Sequence, residues 1–383
     1  VKRSRSGNRR SPAPTRPTVA EIDLSAIAFN LRGVRRRIGQ GVGIMAVVKA
    51  NAYGHGLETV SSFVEKGLAD CFGVAFPEEG LALRMAGIRK PIHVFTLPTP
   101  EQAPLYTEYD LEATVSSPRE VSLLQRAGVK ARKTLPIHIK IDTGMNRLGV
   151  KPADVDALTS ELGRATKVEV KGVFTHFATA DEPRKEFAMH QLDEFRRTLD
   201  RLRGLGVVPE VVHCANSASI LDLPETTFSM VRPGVMMYGY YPSKTTSESI
   251  PLRTALKLKT RVALVKWIGP GESVSYGRKF LATRRTQIAT LPIGYADGYS
   301  RLLTGKAFVL IHGKKFPVAG SVCMDQIMAD VGEEPVEVGD EAVIIGSQGN
   351  TAVSAWDLAD SLGTIPYEIC CAISSRVPRV HIS

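Results

Sequence analysis

A lysine closes a short apolar run early in the 383-residue chain. Ile44 to Val48 is rich in β-branched residues, too brief for a helix and preceded by glycines, so it predicts a buried strand with Lys49 at its end. An ammonium at the tip of a buried strand is costly unless it is paired or used covalently, and desolvation lowers a lysine's pKa readily. Lys49 is therefore a candidate Schiff-base nucleophile. A lone lysine leaving a strand is more often simply solvated. Here the stretch Asn51-Ala52-Tyr53-Gly54-His55-Gly56 follows, with glycines punctuating a tight loop that keeps polar groups beside the amine.

Other polar residues also stand at the ends of apolar runs. Lys140 and Arg147 lie in IKIDTGMNRLG, His176 in Thr175-His176-Phe177, Asn216 and Ser217 in His213-Cys214-Ala215-Asn216-Ser217, and Arg232 in Arg232-Pro233-Gly234. Each alone could be a hydrogen-bonded strand end or a turn. Together they need a scaffold that brings strand ends to one place. Eight apolar strand candidates supply it: 43–49, 71–76, 91–96, 111–115, 136–142, 168–175, 210–215 and 227–231. Helical patterns over Leu57 to Lys66, Pro118 to Ala127 and Glu186 to Leu205 fall between them, and an amphipathic helix over Ser25 to Ile38 precedes them. Strands alternating with helices predict an α/β fold, a (β/α)8 TIM-type barrel whose function gathers at the carboxyl ends of its strands. The loops after the seventh and eighth strands are the usual phosphate position of such a barrel. They hold Asn216, Ser217, Gly234 and Val235.

The barrel pattern stops near residue 245. Short β-rich runs follow, among them Ala255 to Trp267, Gln287 to Leu291, Lys306 to Ile311, Phe316 to Val318 and Glu341 to Ile345, with a late helix over Ala355 to Leu362. The expected organisation is a basic disordered tail over 1–17, a barrel over 18–245 and a mainly β C-terminal domain over 246–383. The strand candidate 18–23 is open to pairing with that C-terminal domain.

The run AVVKANAYGHG resembles the cofactor-lysine motif of the alanine racemases, and later motifs match the same family in order over roughly residues 18–383. The resemblance implies a pyridoxal 5′-phosphate (PLP) enzyme of fold type III, an isomerase that interconverts L-alanine and D-alanine. Lys49 would carry the cofactor, and Tyr53 and Tyr367 would add phenolic hydroxyls to its phosphate. By the same resemblance Arg232 faces the pyridine nitrogen and His176 packs beside the ring. Arg147 contacts the cofactor's phenolic oxygen and the substrate carboxylate, and Lys140 is a candidate carbamylated lysine. Arginine holds its proton at any ordinary pH, so it cannot hand the ring a full proton. That weakens the electron sink and favours proton removal and return over transamination.

Racemisation needs proton transfer on both faces of a planar carbon, and one lysine most easily serves one face. Tyr276, in Ser275-Tyr276-Gly277-Arg278, matches the family's second catalytic base. Met324, in Cys323-Met324-Asp325-Gln326, matches a backbone contact to the substrate carboxylate, and Tyr295 matches a residue at the entrance. The resemblance further implies a cytoplasmic homodimer in which Tyr276 and Met324 enter the partner's site, with D-alanine serving peptidoglycan. The alternatives are a racemase of broader specificity or for serine, and a non-catalytic PLP-binding protein. A decarboxylase on the same barrel would want a run of consecutive glycines for the phosphate, which the chain lacks.

Composition narrows the classes. Hydrophobic residues make up 43% and charged residues 23%, ordinary for a globular protein. No apolar run is long enough to span a bilayer. The net charge of +10 is concentrated: the first eighteen residues carry six Lys or Arg and no acid, which leaves +4 for the rest. Nothing aromatic interleaves those charges to stack on bases, which argues against a nucleic-acid partner. The five cysteines form no CxxC pair and no metal-ligand spacing, as expected of reduced thiols without a metal.

Overall fold

A computed structural model of the chain describes residues 15–383, so the predicted tail lies outside the described residues up to position 14. The described chain forms two compact units, one of Ile22–Leu256, Ile365–Cys371 and His381–Ser383, the other of residues up to Glu21, Lys257–Thr364 and Ala372–Val380.

The first unit is the predicted barrel. Its strands are β1 (Gly43–Val47), β2 (Cys71–Val74), β3 (Ile92–Val94), β4 (Ala113–Val115), β5 (Leu135–Lys140), β6 (Val168–Phe174), β7 (Val211–His213) and β8 (Met230–Val231). All pairings are parallel: β1 lies between β8 and β2, β2 meets β3, and β4 to β7 follow in order. A parallel bridge from His93 to Glu112 joins the two halves. The ring closes where Ser229 Oγ accepts the N–H of Val212 at 2.7 Å and Arg232 N–H donates to the Ala215 carbonyl at 2.9 Å. Helices cover one face of these strands and side chains fill the other, so most of them read as apolar runs, while β5 (LPIHIK) and the start of β6 (VEVK) alternate. The helix Leu24–Ile38 is N-capped by Asp23, whose carboxylate accepts from the N–H groups of Ser25 and Ala26, and it buries Ile27, Leu31 and Val34.

The barrel interior is partly polar. A β-carbon on Gly172 would lie 2.3 Å from His138 Nδ1, so this glycine makes room for an imidazole inside the ring. Phe174 stacks on His213 with ring centroids 4.7 Å apart, and Lys140 Nζ lies 5.0 Å above the Phe174 ring.

The second unit is mainly β, with a sheet ordered Lys314–Pro317, Phe308–Ile311, Glu341–Gln348, Leu256–Arg261, Val19–Asp23 and Arg379–Ile382. The N-terminal strand thus pairs in this sheet. The run 255–267, which reads as one apolar stretch, divides between two sheets. Leu256–Arg261 stays in the first, and Leu264–Ile268 pairs with Thr286–Leu291 in a three-stranded one. The chain steps across at Val262 and Ala263, whose N–H groups bond to Asp340 and Thr290. The late helix, Ala355–Leu362, starts from a capping box between Ser354 and Asp357.

Candidate active site

Lys49 opens a turn in which Ala50, Asn51, Ala52 and Tyr53 all have φ between 53° and 55°. This is a left-handed helical turn built without glycine, at about 1–2 kcal/mol for each L-residue. Such strain persists only where neighbours hold it. Glu79 Oε1 accepts the N–H of Ala50 at 2.7 Å, and Asn51 Oδ1 accepts the N–H of Leu57 at 2.8 Å. Gly54 follows at φ 84°, where a β-carbon would lie 2.1 Å from the Cys370 carbonyl oxygen, so the turn rests on the backbone of segment 365–371. His55 stacks on Tyr238 at 4.4 Å, and the Tyr238 hydroxyl donates to the Val47 carbonyl at 2.9 Å. These contacts fix the end of β1. Burial first, then the charge of Arg147, lower the pKa of the Lys49 amine against the opposing pull of Glu79. More of it is neutral and nucleophilic than in a solvated lysine.

Tyr53 ends the turn with its hydroxyl toward Gly234: a β-carbon there would lie 2.8 Å from that oxygen and 3.8 Å from Ser217 Oγ. Ser217 Oγ accepts the N–H of Gly234 at 2.9 Å, and the Tyr367 ring lies 6.0 Å from that of Tyr53. Ser217, Gly234, Val235, Tyr53 and Tyr367 thus gather after β7 and β8. Burial raises the pKa of both phenols, which keeps them protonated donors. Asn216 differs from the others. Its Oδ1 accepts from the N–H and the hydroxyl of Ser219 at 3.0 and 2.9 Å, so its side chain caps the helix Ser217–Asp222.

Arg232 is buried and held from several sides. Its Nη1 donates to His213 Nδ1 at 2.8 Å, while Nη2 donates to the carbonyls of Thr175 and Cys214 at 2.9 Å and meets His176 Nδ1 at 3.1 Å. Burial pulls its pKa down to about 10, still above neutrality, so the guanidinium stays charged. His176 is held neutral by burial and then by Arg232, Lys140, Arg147 and Lys49. Lys140 is buried, and desolvation, followed by Arg232 and Arg147, takes its pKa well below the usual range. Arg147 is exposed on a loop shaped by Asp142, which accepts from the N–H groups of Gly144 and Asn146 and from Lys151 Nζ.

Beneath Arg232 lies a group that the sequence reading missed. His138 Nδ1 and His213 Nε2 are 3.0 Å apart, and His138 Nε2 is 3.0 Å from Glu112 Oε2. His93, Glu112 and His138 come within 4.8 Å of one another, yet the last two spend their atoms on each other and His93 Nε2 meets Thr114 Oγ1 at 3.2 Å. The available signal was His138 two positions before Lys140 on one strand, a spacing that puts both on the same face.

The second unit gathers Tyr276, Met324 and Tyr295. Tyr276 begins a turn in which Ser275, Gly277 and Arg278 have φ of 67°, 71° and 49°. Ser275 Oγ donates to the Ser321 carbonyl and Ser321 Oγ donates to the Tyr276 carbonyl, both at 2.7 Å. Tyr295 and Ala296 N–H donate to the carbonyls of Cys323 and Met324, each at 3.0 Å. Three sequence-distant motifs are thereby locked together. Their side chains nonetheless stay open, at 75% exposure for Tyr276, 52% for Met324 and 40% for Tyr295.

Comparison with known proteins agrees. Residues 22–242 match the family model described as alanine racemase, N-terminal domain, and residues 255–381 its C-terminal domain. An alanine racemase of Halothermothrix orenii is 44% identical over 368 residues, 96% of this chain and 97% of its own. The solved alanine racemase of Clostridium difficile 630 superposes with a TM-score of 0.93 at 38% identity, covering 97% of each chain. A solved histidine racemase of Leuconostoc mesenteroides has a TM-score of 0.90 at 31% identity, covering 97% of this chain and 99% of its own.

Proposed function

The chain belongs to the alanine racemase family, and from that premise and the site geometry we propose that it interconverts L-alanine and D-alanine with PLP anchored on Lys49. The residues present fit the cofactor. Gly234 leaves open the space beside the Tyr53 hydroxyl and Ser217 Oγ that a β-carbon would fill, a cradle suited to phosphate oxygens. Ser217, Tyr53, Tyr367 and the N–H groups of Gly234 and Val235 would hold the phosphate, with His176 beside the ring. When bound, PLP lowers the acidity barrier at the α-carbon of an amino acid by taking up electron density from it.

The observation that carries the reading is the setting of Arg232. Its guanidinium is fixed by His213, Thr175 and Cys214 and cannot protonate a ring nitrogen placed against it. A muted electron sink suits proton exchange at one carbon. Lys49, with its depressed pKa, exchanges the proton on one face, and Tyr276 exchanges it on the other. Arg147 holds the substrate carboxylate. Carbamylation would turn Lys140 from a cation beside Arg147 into an anion, replacing repulsion by a charge-assisted hydrogen bond.

Tyr276 and Met324 are proposed to serve the partner's site in a homodimer. Their exposure on a rigid platform supports this, as does the placement of Tyr295 beside them. No helix among the described residues is long and apolar enough to cross a membrane. By its family the role proposed for it is supply of D-alanine for peptidoglycan, in the cytoplasm.

A broader substrate range is the second reading, because a histidine racemase shares the fold at a TM-score of 0.90. The test is chiral chromatography of L-alanine, L-serine and L-histidine incubated separately with PLP-loaded protein. Approach to a racemic mixture with alanine well ahead supports the first reading. Serine or histidine keeping pace would establish the second, and a bound cofactor without turnover would point to a non-catalytic PLP carrier.

A further inference from the structure

The pair His138–His213 and its neighbours have donor roles that the geometry determines. Arginine only donates, so His213 Nδ1, 2.8 Å from Arg232 Nη1, must accept. A neutral His213 then carries its proton on Nε2 and donates it to His138 Nδ1 at 3.0 Å. His138 in turn carries its proton on Nε2, which faces Glu112 Oε2 at 3.0 Å. A doubly protonated His138 would direct an N–H at His213 Nε2 and force the His213 proton onto Nδ1, against Arg232. One order alone satisfies every member, and it runs from the guanidinium to a carboxylate on the β4 side of the barrel.

Resting on the PLP reading above, we infer that Glu112 is a remote positioning residue for the reaction. Through His138 and His213 it orients the Arg232 hydrogen-bonding edge and so keeps the guanidinium set to face a pyridine nitrogen. All members sit inside one barrel: Glu112 just before β4, His138 on β5, His213 on β7 and Arg232 just after β8. Each is buried, so water does not substitute readily for a missing link. Gly172 is part of the device, since any β-carbon there would strike the His138 ring. Arg232 Nη2 is already shared among the Thr175 and Cys214 carbonyls and His176, which leaves Nη1 and Nε to address a ligand. With Nη1 tied to His213, the direction of that bond sets where the remaining hydrogens point.

In Glu112→Gln the amide can donate to His138 Nε2. The whole order can then invert, and His213 Nδ1–H would confront Arg232. Loosening Arg232 should raise the side reaction in which the alanine nitrogen stays on the cofactor as its pyridoxamine form and pyruvate is released.

The experiment uses PLP-loaded protein labelled with 15N-histidine. In the wild type, His138 and His213 should both be neutral with the proton on Nε2. Glu112→Gln should give mixed tautomers and raise pyruvate per racemisation about tenfold, the lower end of what partners behind a functional ligand contribute, with the KM for alanine changed by less than about threefold. Glu112→Asp, which keeps the charge, should restore part of the wild-type tautomer order. Either imidazole protonated, or carrying its proton on Nδ1, in the wild type would overturn the inference even if the variant did not fold. An unchanged pyruvate ratio in a folded Glu112→Gln would do the same. Wild-type protein that neither binds PLP nor racemises alanine would instead refute the underlying functional reading.

Discussion

The Ser321 hydroxyl donates to the main-chain carbonyl of Tyr276 at 2.7 Å, so the turn that presents the tyrosine is held through its backbone and not through its phenol. Tyr276→Phe should therefore leave the turn and PLP binding intact while removing the proton-transfer hydroxyl. Loss of one acid–base group costs roughly 10²- to 10⁴-fold in rate. The measurement is kcat in both directions beside equilibrium dialysis of PLP. Full activity with bound cofactor would remove Tyr276 from the two-base scheme.

Ser321→Ala probes the platform itself. One hydrogen bond to Tyr276 is lost, at about 1 kcal/mol, while the phenol remains. The expected result is a fall in kcat smaller than that of Tyr276→Phe, with little change in thermal midpoint. A loss as deep as that of the phenylalanine variant would show that the turn, more than the hydroxyl, governs turnover.

Much of this site could be read from residue types because strand ends carry it. Runs such as Ile44 to Val48 and Pro136 to Ile141 terminate on their polar residues whether or not the strand boundaries are known to the residue. The left-handed turn after Lys49 was not legible: Ala50, Asn51, Ala52 and Tyr53 have no common preference for positive φ, and the glycines beside them announce only a tight loop. Nor was the order of Glu112, His138 and His213. The alternation Ile137-His138-Ile139-Lys140 puts His138 and Lys140 on one face, but the partners Glu112 and His213 come from other strands, which no local pattern encodes. Tyr367 reaches the barrel although the β-rich segment separates the two in the chain, a long-range pairing that no local pattern encodes.

Gly234→Ala should weaken cofactor retention. The added methyl meets the Tyr53 hydroxyl at 2.8 Å, in the space assigned to phosphate. A PLP dissociation constant raised about tenfold, the equivalent of 1.4 kcal/mol, is expected from equilibrium dialysis. Unchanged affinity would place the phosphate elsewhere.

Arg16 makes a two-point ion pair with Asp297, Nη1 to Oδ1 at 2.8 Å and Nη2 to Oδ2 at 2.7 Å, and the Asp297 side chain is fully buried. Asp297 also accepts the Gly294 N–H at 3.0 Å, immediately before Tyr295. Arg16→Ala leaves that carboxylate to Arg376 Nε at 3.5 Å, and an uncompensated buried charge costs roughly 3 kcal/mol. Urea unfolding should show the loss, and Arg16→Lys, which keeps the charge without the fork, should fall between. Equal stability of all three would mean that Arg376 alone neutralises Asp297.

Lys140 offers a test that depends on pH. Burial holds its amine well below the ordinary lysine range, ahead of the charges of Arg232 and Arg147. Because the folded pKa is depressed, the unfolded chain binds more protons between the folded value and the ordinary one. An unmodified Lys140 would therefore add stability as pH rises through that window. The same depression raises the share of neutral amine, the form that adds CO2. Protein exchanged into 13C-bicarbonate should give a carbamate carbon signal that is missing in Lys140→Ala and that fades on acidification, as carbamates lose CO2 when protonated. Absence of that signal in the wild type would leave Lys140 a buried amine, and Arg147 would then need another anion to offset its charge.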